Sequence, residues 1–150
     1  MSLESKVMEE MKTAMRAKDE AALRTLRAIK AAILIEKTSA NAADQLTEAD
    51  EVKMLQKMAK QRRDSLEIFT QQQREDLAQK EREELAIIER FLPAQMSVEE
   101  IQAELKAIIA EVGASSPADM GKVMGQATKR MAGRADGKVI SGQVKQLLSQ

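Results

Sequence analysis

The 150-residue sequence contains no cysteine, histidine, tryptophan or tyrosine. Without cysteine and histidine there is no thiolate nucleophile, no imidazole base, no disulfide, and no zinc or iron site built on sulfur or nitrogen ligands. Two phenylalanines are the only aromatic residues, which excludes a surface that stacks splayed bases on aromatic rings. Proline occurs twice and glycine six times, with every glycine at or beyond Gly113. No stretch approaches the roughly 20 apolar residues of a membrane-spanning helix. The opening residues Met1 to Met15 are charged at Glu4, Lys6, Glu9, Glu10 and Lys12, unlike a secretory leader. These absences lead us to expect a soluble, cytoplasmic protein with no cofactor, no metal and no membrane partner.

What is present favours helices. Apolar residues make up 43% of the chain and charged ones 32%, with 24 basic side chains against 24 acidic ones, so the whole-chain field selects no partner. No segment alternates strictly enough for a half-buried strand. The pattern predicts an all-α protein of seven helices. The first spans about Leu3 to Ala17, with Leu3, Val7, Met11 and Met15 inward. The second follows Asp19 as N-cap, turns Leu23, Leu26, Ile29 and Ile33 inward, and gives way to polar residues from Thr38 to Asp44. Thr47 and Asp50 resemble a capping box opening a long third helix with Val52, Leu55, Ala59, Leu66 and Phe69 inward. A fourth, about Glu75 to Phe91, presents Leu77, Leu85, Ile88 and Leu92 and is stopped by Pro93; the two pair as a long hairpin. Ser97 and Glu100 cap a fifth helix carrying Ile101, Leu105, Ile108 and Val112, with Gly113 just past its end. Ser116 and Pro117 open a sixth, Pro117 to Ala132, closed by Gly133. Asp136 and Gly137 turn into a seventh with Ile140, Val144 and Leu147 inward, which Gly142 weakens unless close packing favours it there. The expected organisation is an N-terminal four-helix unit over residues 1–96 and a small three-helix domain over residues 97–150.

Some charges interrupt the apolar stripes. Lys30 lies seven residues after Leu23, Arg62 lies between Ala59 and Leu66, and Glu81 and Glu84 fall between Leu77 and Ile88. Isolated burial of either sign is costly, so these four are expected to meet in an interhelical ion-pair network. The carboxylate pair could instead serve as acid and base in hydrolysis; the structural use of such matched pairs is the commoner one.

The charge balance is local as well. Residues 116–150 carry six basic side chains, Lys122, Lys129, Arg130, Arg134, Lys138 and Lys145, against two acidic ones, whereas residues 97–115 hold one basic and four acidic. Phosphate contacts through such cations could orient RNA, with the bland alternative that they merely solvate helix exteriors. Gly133 and Gly137, which bracket Arg134, would admit close backbone approach; equally, they could be ordinary cap and turn residues.

The run Asp119-Met120-Gly121-Lys122-Val123-Met124, leading through Lys129-Arg130 to Gly133-Arg134-Ala135-Asp136-Gly137, resembles the YqeY family. That family's second domain is similar to the tail of the B subunit of glutamine-dependent aminoacyl-tRNA amidotransferases. Arg24, Leu26, Ala28, Ile29 and Lys30 match it as well, as do Lys60 to Arg62 with Ser65 and Phe69. Further along, Arg74, Asp76, Leu77, Glu81 and Glu84 fit, with Leu92-Pro93 at the junction. Gln73 stands where the family places a glycine. The resemblance implies the same two helical domains and a tRNA connection, since the amidotransferase tail is regarded as a tRNA-contacting appendage. It implies further that the motif glycines are Gly121, Gly133 and Gly137, and it carries a carbon–nitrogen ligase label, with glutamine as amido donor, that belongs to the multisubunit enzyme. Ser115 and Ser116 read better as caps than as amidase serines, and no P-loop is present. The expected function is therefore a noncatalytic accessory module for tRNA or a tRNA-handling enzyme, with a protein-interaction module that does not bind RNA as the alternative.

Overall fold

A computed structural model describes residues 2–39 and 46–150. Among these the protein is helical throughout, with seven α-helices and one short 3-10 turn. The polar break expected from Thr38 to Asp44 lies outside the described residues from Ala40 onward, and Thr38 and Ser39 themselves complete a helix. Two compact units divide between Leu92 and Pro93.

The first unit contains α1 (Leu3–Ala17), α2 (Glu20–Ser39), α3 (Glu48–Gln71) and α4 (Glu75–Phe91). Local chemistry sets their ends. The Ser2 hydroxyl accepts from the Ser5 amide at the start of α1, Asp19 Oδ1 accepts from the Ala22 amide at the start of α2, and Thr47 and Asp50 form a reciprocal capping box before α3. The hairpin of α3 and α4 turns through Gln72 to Arg74, where Gln73 adopts a left-handed φ of 58°. Leu23, Leu26, Ile29 and Ile33 all enter the core, facing Leu3 and Val7 from α1, Leu55, Met58 and Ala59 from α3, and Ile88 and Leu92 at the end of α4.

Leu66, Phe69 and Leu77, expected inward, are only half-buried, and two further residues of this unit point elsewhere. Met15 is 56% exposed and Ala14 occupies its core position. Each four-residue step advances 40° around the helix, so the series Leu3, Val7, Met11, Met15 walks off the buried arc, whereas seven residues from Val7 to Ala14 return within 20°. Lys30 is likewise exposed. It lies on the flank of the arc defined by Leu26, Ile29 and Ile33, and its long stem carries the ammonium to water.

The second unit contains α5 (Val98–Val112), the 3-10 turn Pro117–Asp119, α6 (Met120–Arg130) and α7 (Gly137–Leu148). Ser97 and Glu100 cap α5 reciprocally, and Gly113 ends it in the left-handed conformation at φ 69°. The sixth helix is shorter than its sequence suggests: Pro117 opens a tighter turn, α6 starts at Met120, and it ends at Arg130, two residues before Ala132. Gly133 sits in the following turn at φ 79°. Ile101, Leu105 and Ile108 of α5 pack with Val123, Ala127 and Met131 and with Ile140, Val144 and Leu148 to form the core. The unit begins before residue 97 because its leading strap is tied down. The Met96 amide donates to the Arg134 carbonyl (2.8 Å), and Gln95 Nε2 donates to the Gly133 carbonyl (2.9 Å).

Candidate nucleic-acid interface

The six cations singled out in the second unit divide into two kinds. Both arginines are engaged by the fold. Arg130, in the last turn of α6, reaches α5, where Nη1 lies 3.5 Å from Glu104 Oε1 and donates to Glu111 Oε1 at 3.3 Å, while Nη2 pairs with Glu111 Oε2. These bonds hold the Glu111 carboxyl below the usual carboxylate range and the Arg130 guanidinium above its own ordinary value. Arg134 Nε donates to the Ala94 carbonyl at 3.3 Å, so this side chain clamps the strap already held by its own main-chain carbonyl.

The lysines stand outward. Lys122 and Lys129 are seven residues apart on the exposed side of α6, away from Val123 and Ala127. Lys138 and Lys145 are similarly spaced on the outer side of α7, away from Ile140 and Val144. The glycines share these strips. Gly121 and Gly125 lie on the outer part of α6 and Gly142 on that of α7, and a methyl group built on any of the three would meet nothing within 4 Å. Close packing therefore does not explain Gly142. A glycine inside a helix costs about 1 kcal/mol relative to alanine, and here no internal neighbour requires the missing side chain.

The motif glycines thus occupy different settings. Gly121 is exposed in the first turn of α6, and Gly137 is exposed as the first residue of α7, where the Asp136 carboxylate accepts from the Lys138 amide at 3.2 Å. Gly133 is buried in the turn that receives the strap. Asp119 is also structural: its carboxylate accepts from the amides of Ser115 (2.9 Å) and Ser116 (3.3 Å), and these bonds hold it below the usual carboxylate range, aided by Lys122. The role of the strap, Gly125 and the open backbone at Gly142 escaped sequence reasoning. Glycines spaced four apart on a polar helix face were the available signal.

In the first unit, Arg62, Glu81 and Glu84 come together between α3 and α4. Arg62 Nη2 lies 3.8 Å from Glu84 Oε1, with the side chains only 18% and 16% exposed. Burial, then the Glu84 charge, pushes the Glu81 carboxyl up, against opposing pulls from Arg62 and Arg24. Arg24 also pairs with Glu83 at 3.3 Å. Lys30 stands apart from this cluster and faces a groove along α1 and α2. Among the described residues no group of histidine, cysteine, aspartate or glutamate side chains is placed to hold a metal ion, and no helix is long and apolar enough to cross a membrane.

Comparison with known proteins supplies a family match. A family model described as Yqey-like protein matches residues 4–148. A protein of Pyrenophora tritici-repentis named "Altered inheritance of mitochondria protein 41, mitochondrial" is 30% identical over 141 residues, covering 93% of this chain and 77% of that protein. A protein of the same name from Kluyveromyces lactis is 30% identical over 140 residues, covering 91% and 71%.

Proposed function

From the premise that the chain belongs to the YqeY family, we propose that it is a noncatalytic accessory module that binds tRNA through the outer strips of α6 and α7. The observation that carries this reading is the pairing of lysines with helix glycines open to solvent. Phosphates are attracted by the ammonium groups, and glycine lets a sugar-phosphate chain approach the helix backbone closely. Both phenylalanines, Phe69 and Phe91, belong to the first unit, so affinity in the second rests on charge and shape. Its acids are largely committed to structure: Glu100, Asp119 and Asp136 cap, and Glu104 and Glu111 hold Arg130. In this reading amide transfer from glutamine belongs to the multisubunit amidotransferase and not to this chain.

The test is fluorescence anisotropy of labelled tRNA with the full-length protein at two salt concentrations. If Lys122, Lys129 and Lys145 neutralise three phosphates, log affinity falls against log salt with a slope of about −2. Charge reversal at these three lysines should abolish binding at moderate salt while leaving the melting temperature nearly unchanged, because all three are exposed. Gly125→Leu should weaken binding by filling the open strip. No binding at low salt, or binding indifferent to the three reversals, would refute the proposal.

A further inference from the structure

The first unit carries a groove unrelated to the α6 and α7 strips. It runs along the seam of α1 and α2 with a volume of about 440 Å³. Met11, Ile33 and Leu34 give it an apolar floor and wall. One end is bridged by Lys37 Nζ and Glu4 Oε2 at 2.6 Å. Arg27 and Lys30 also line it; both are exposed, and neither makes an ion pair among the described residues. Leu34 in the groove is 66% exposed, and outside its lining Ile35 on α2 is 65% exposed and Met8, on the α1 strip that includes Glu4 and Met11, 43%.

We infer that this groove is a docking site for an acidic amphipathic helix of a partner protein. Its features specify the occupant. From Arg27 to Lys37 the α2 wall covers about 15 Å at 1.5 Å per residue, the length of about ten helical residues. The apolar floor takes side chains at i, i+4 and i+7, and the two exposed cations on the wall favour carboxylates beside them. The groove is partly open to solvent, so it covers one face of its guest and leaves the other wet. A helix with one apolar stripe satisfies that condition, whereas an alkyl carboxylate would leave half its chain in water. A second copy would bring the same lining, Arg27, Lys30 and Lys37 against the single acid Glu4, to the contact, and this excess of like charge opposes that pairing. Methionine at Met8 and Met11 adapts to differently shaped apolar guests.

The experiment selects helix-forming peptides from a display library against the full-length protein, with apolar residues fixed at i, i+4 and i+7 and the flanking positions randomised between Glu, Lys and Ser. The expected survivors carry Glu beside the apolar stripe and bind with micromolar affinity. The double variant Arg27→Glu, Lys30→Glu should lose about tenfold in affinity for the selected acidic peptide, and Leu34→Ser a comparable amount. Neither variant should shift the melting temperature, since these side chains are exposed. A selected pool without an excess of Glu, or an acidic peptide that binds the charge-reversed protein as well as the wild type, overturns the inference. Two further outcomes overturn it in favour of other occupants: concentration-dependent dimerisation abolished by Leu34→Ser, and saturable dodecanoate binding at the groove without enrichment of any helix.

Discussion

Replacing Arg62 with alanine tests the packing of α3 against α4 where the apolar stripe gives way to charge. Breaking a fully buried ion pair typically costs about 3 to 5 kcal/mol, and losing an exposed one about 0 to 1. Arg62 and Glu84 are 18% and 16% exposed at an N–O separation of 3.8 Å, a covered but loose pair, which places the loss at about 2 kcal/mol. For a unit of this size that lowers the melting temperature by roughly 10 °C. The loss should depend on pH in a set direction. Burial and Glu84 raise the Glu81 carboxyl above the usual carboxylate range, while Arg62 pulls it back down. A raised folded-state value means that the folded protein holds the proton more tightly than the unfolded chain, so ionised Glu81 costs stability at neutral pH. Acidification through the raised value removes that cost. Without Arg62 the value rises further and the neutral-pH cost grows. The deficit of Arg62→Ala should therefore be largest at neutral pH and shrink as the solution is acidified through the raised value. Adding Glu81→Gln to Arg62→Ala should recover part of it at neutral pH. Thermal melts followed by far-ultraviolet circular dichroism measure all three. An unchanged melting temperature, or a deficit that widens on acidification, refutes the reasoning.

Two backbone predictions follow from local conformation. Gln73 holds a left-handed φ of 58° at the α3–α4 turn, a conformation that costs a side-chain-bearing residue about 1 to 2 kcal/mol but costs glycine little. Part of the gain is offset by the greater freedom of glycine in the unfolded chain. Gln73→Gly should stabilise the protein by about 0.5 kcal/mol, read as a raised urea midpoint, and a lowered midpoint contradicts it. Gly142→Ala should stabilise α7 by up to about 1 kcal/mol, because the added methyl enters open space on a helix. A destabilised variant would show that something in the fold needs the glycine.

The helix ends were legible in the sequence wherever a side chain or a break in backbone freedom marked them. Asp19, Thr47, Ser97, Pro93 and Gly113 each act on backbone groups one to four residues away, which is information the local sequence contains. Positions defined by arcs were less legible. Met15 and Lys30 sit at the margin of their helices' buried faces, where a few tens of degrees separate core from solvent, and only the neighbouring helix fixes where the arc ends. In the candidate site the charges could be read but their commitments could not. Arg130 meets Glu104 and Glu111 across a helix pair, and Arg134 meets Ala94 forty residues earlier. Both sets of partners lie far off in the sequence, so the local pattern around Arg130 and Arg134 does not show them.

The division between arginine and lysine in the second unit has a physical basis with consequences for recognition. A guanidinium is a planar fork suited to two parallel bonds with one carboxylate, as Arg130 makes with Glu111, and it is less strongly hydrated than an ammonium. Internal contacts therefore recruit the arginines, leaving hydrated ammonium groups at Lys122, Lys129 and Lys145 outside. A surface of point charges lacks the fork that reads a guanine edge and the aromatic ring that stacks an unpaired base. If RNA is its partner, such a surface answers to the spacing of phosphates along a helical backbone. It should then bind different tRNA species with closely similar affinities and the same slope of affinity against salt.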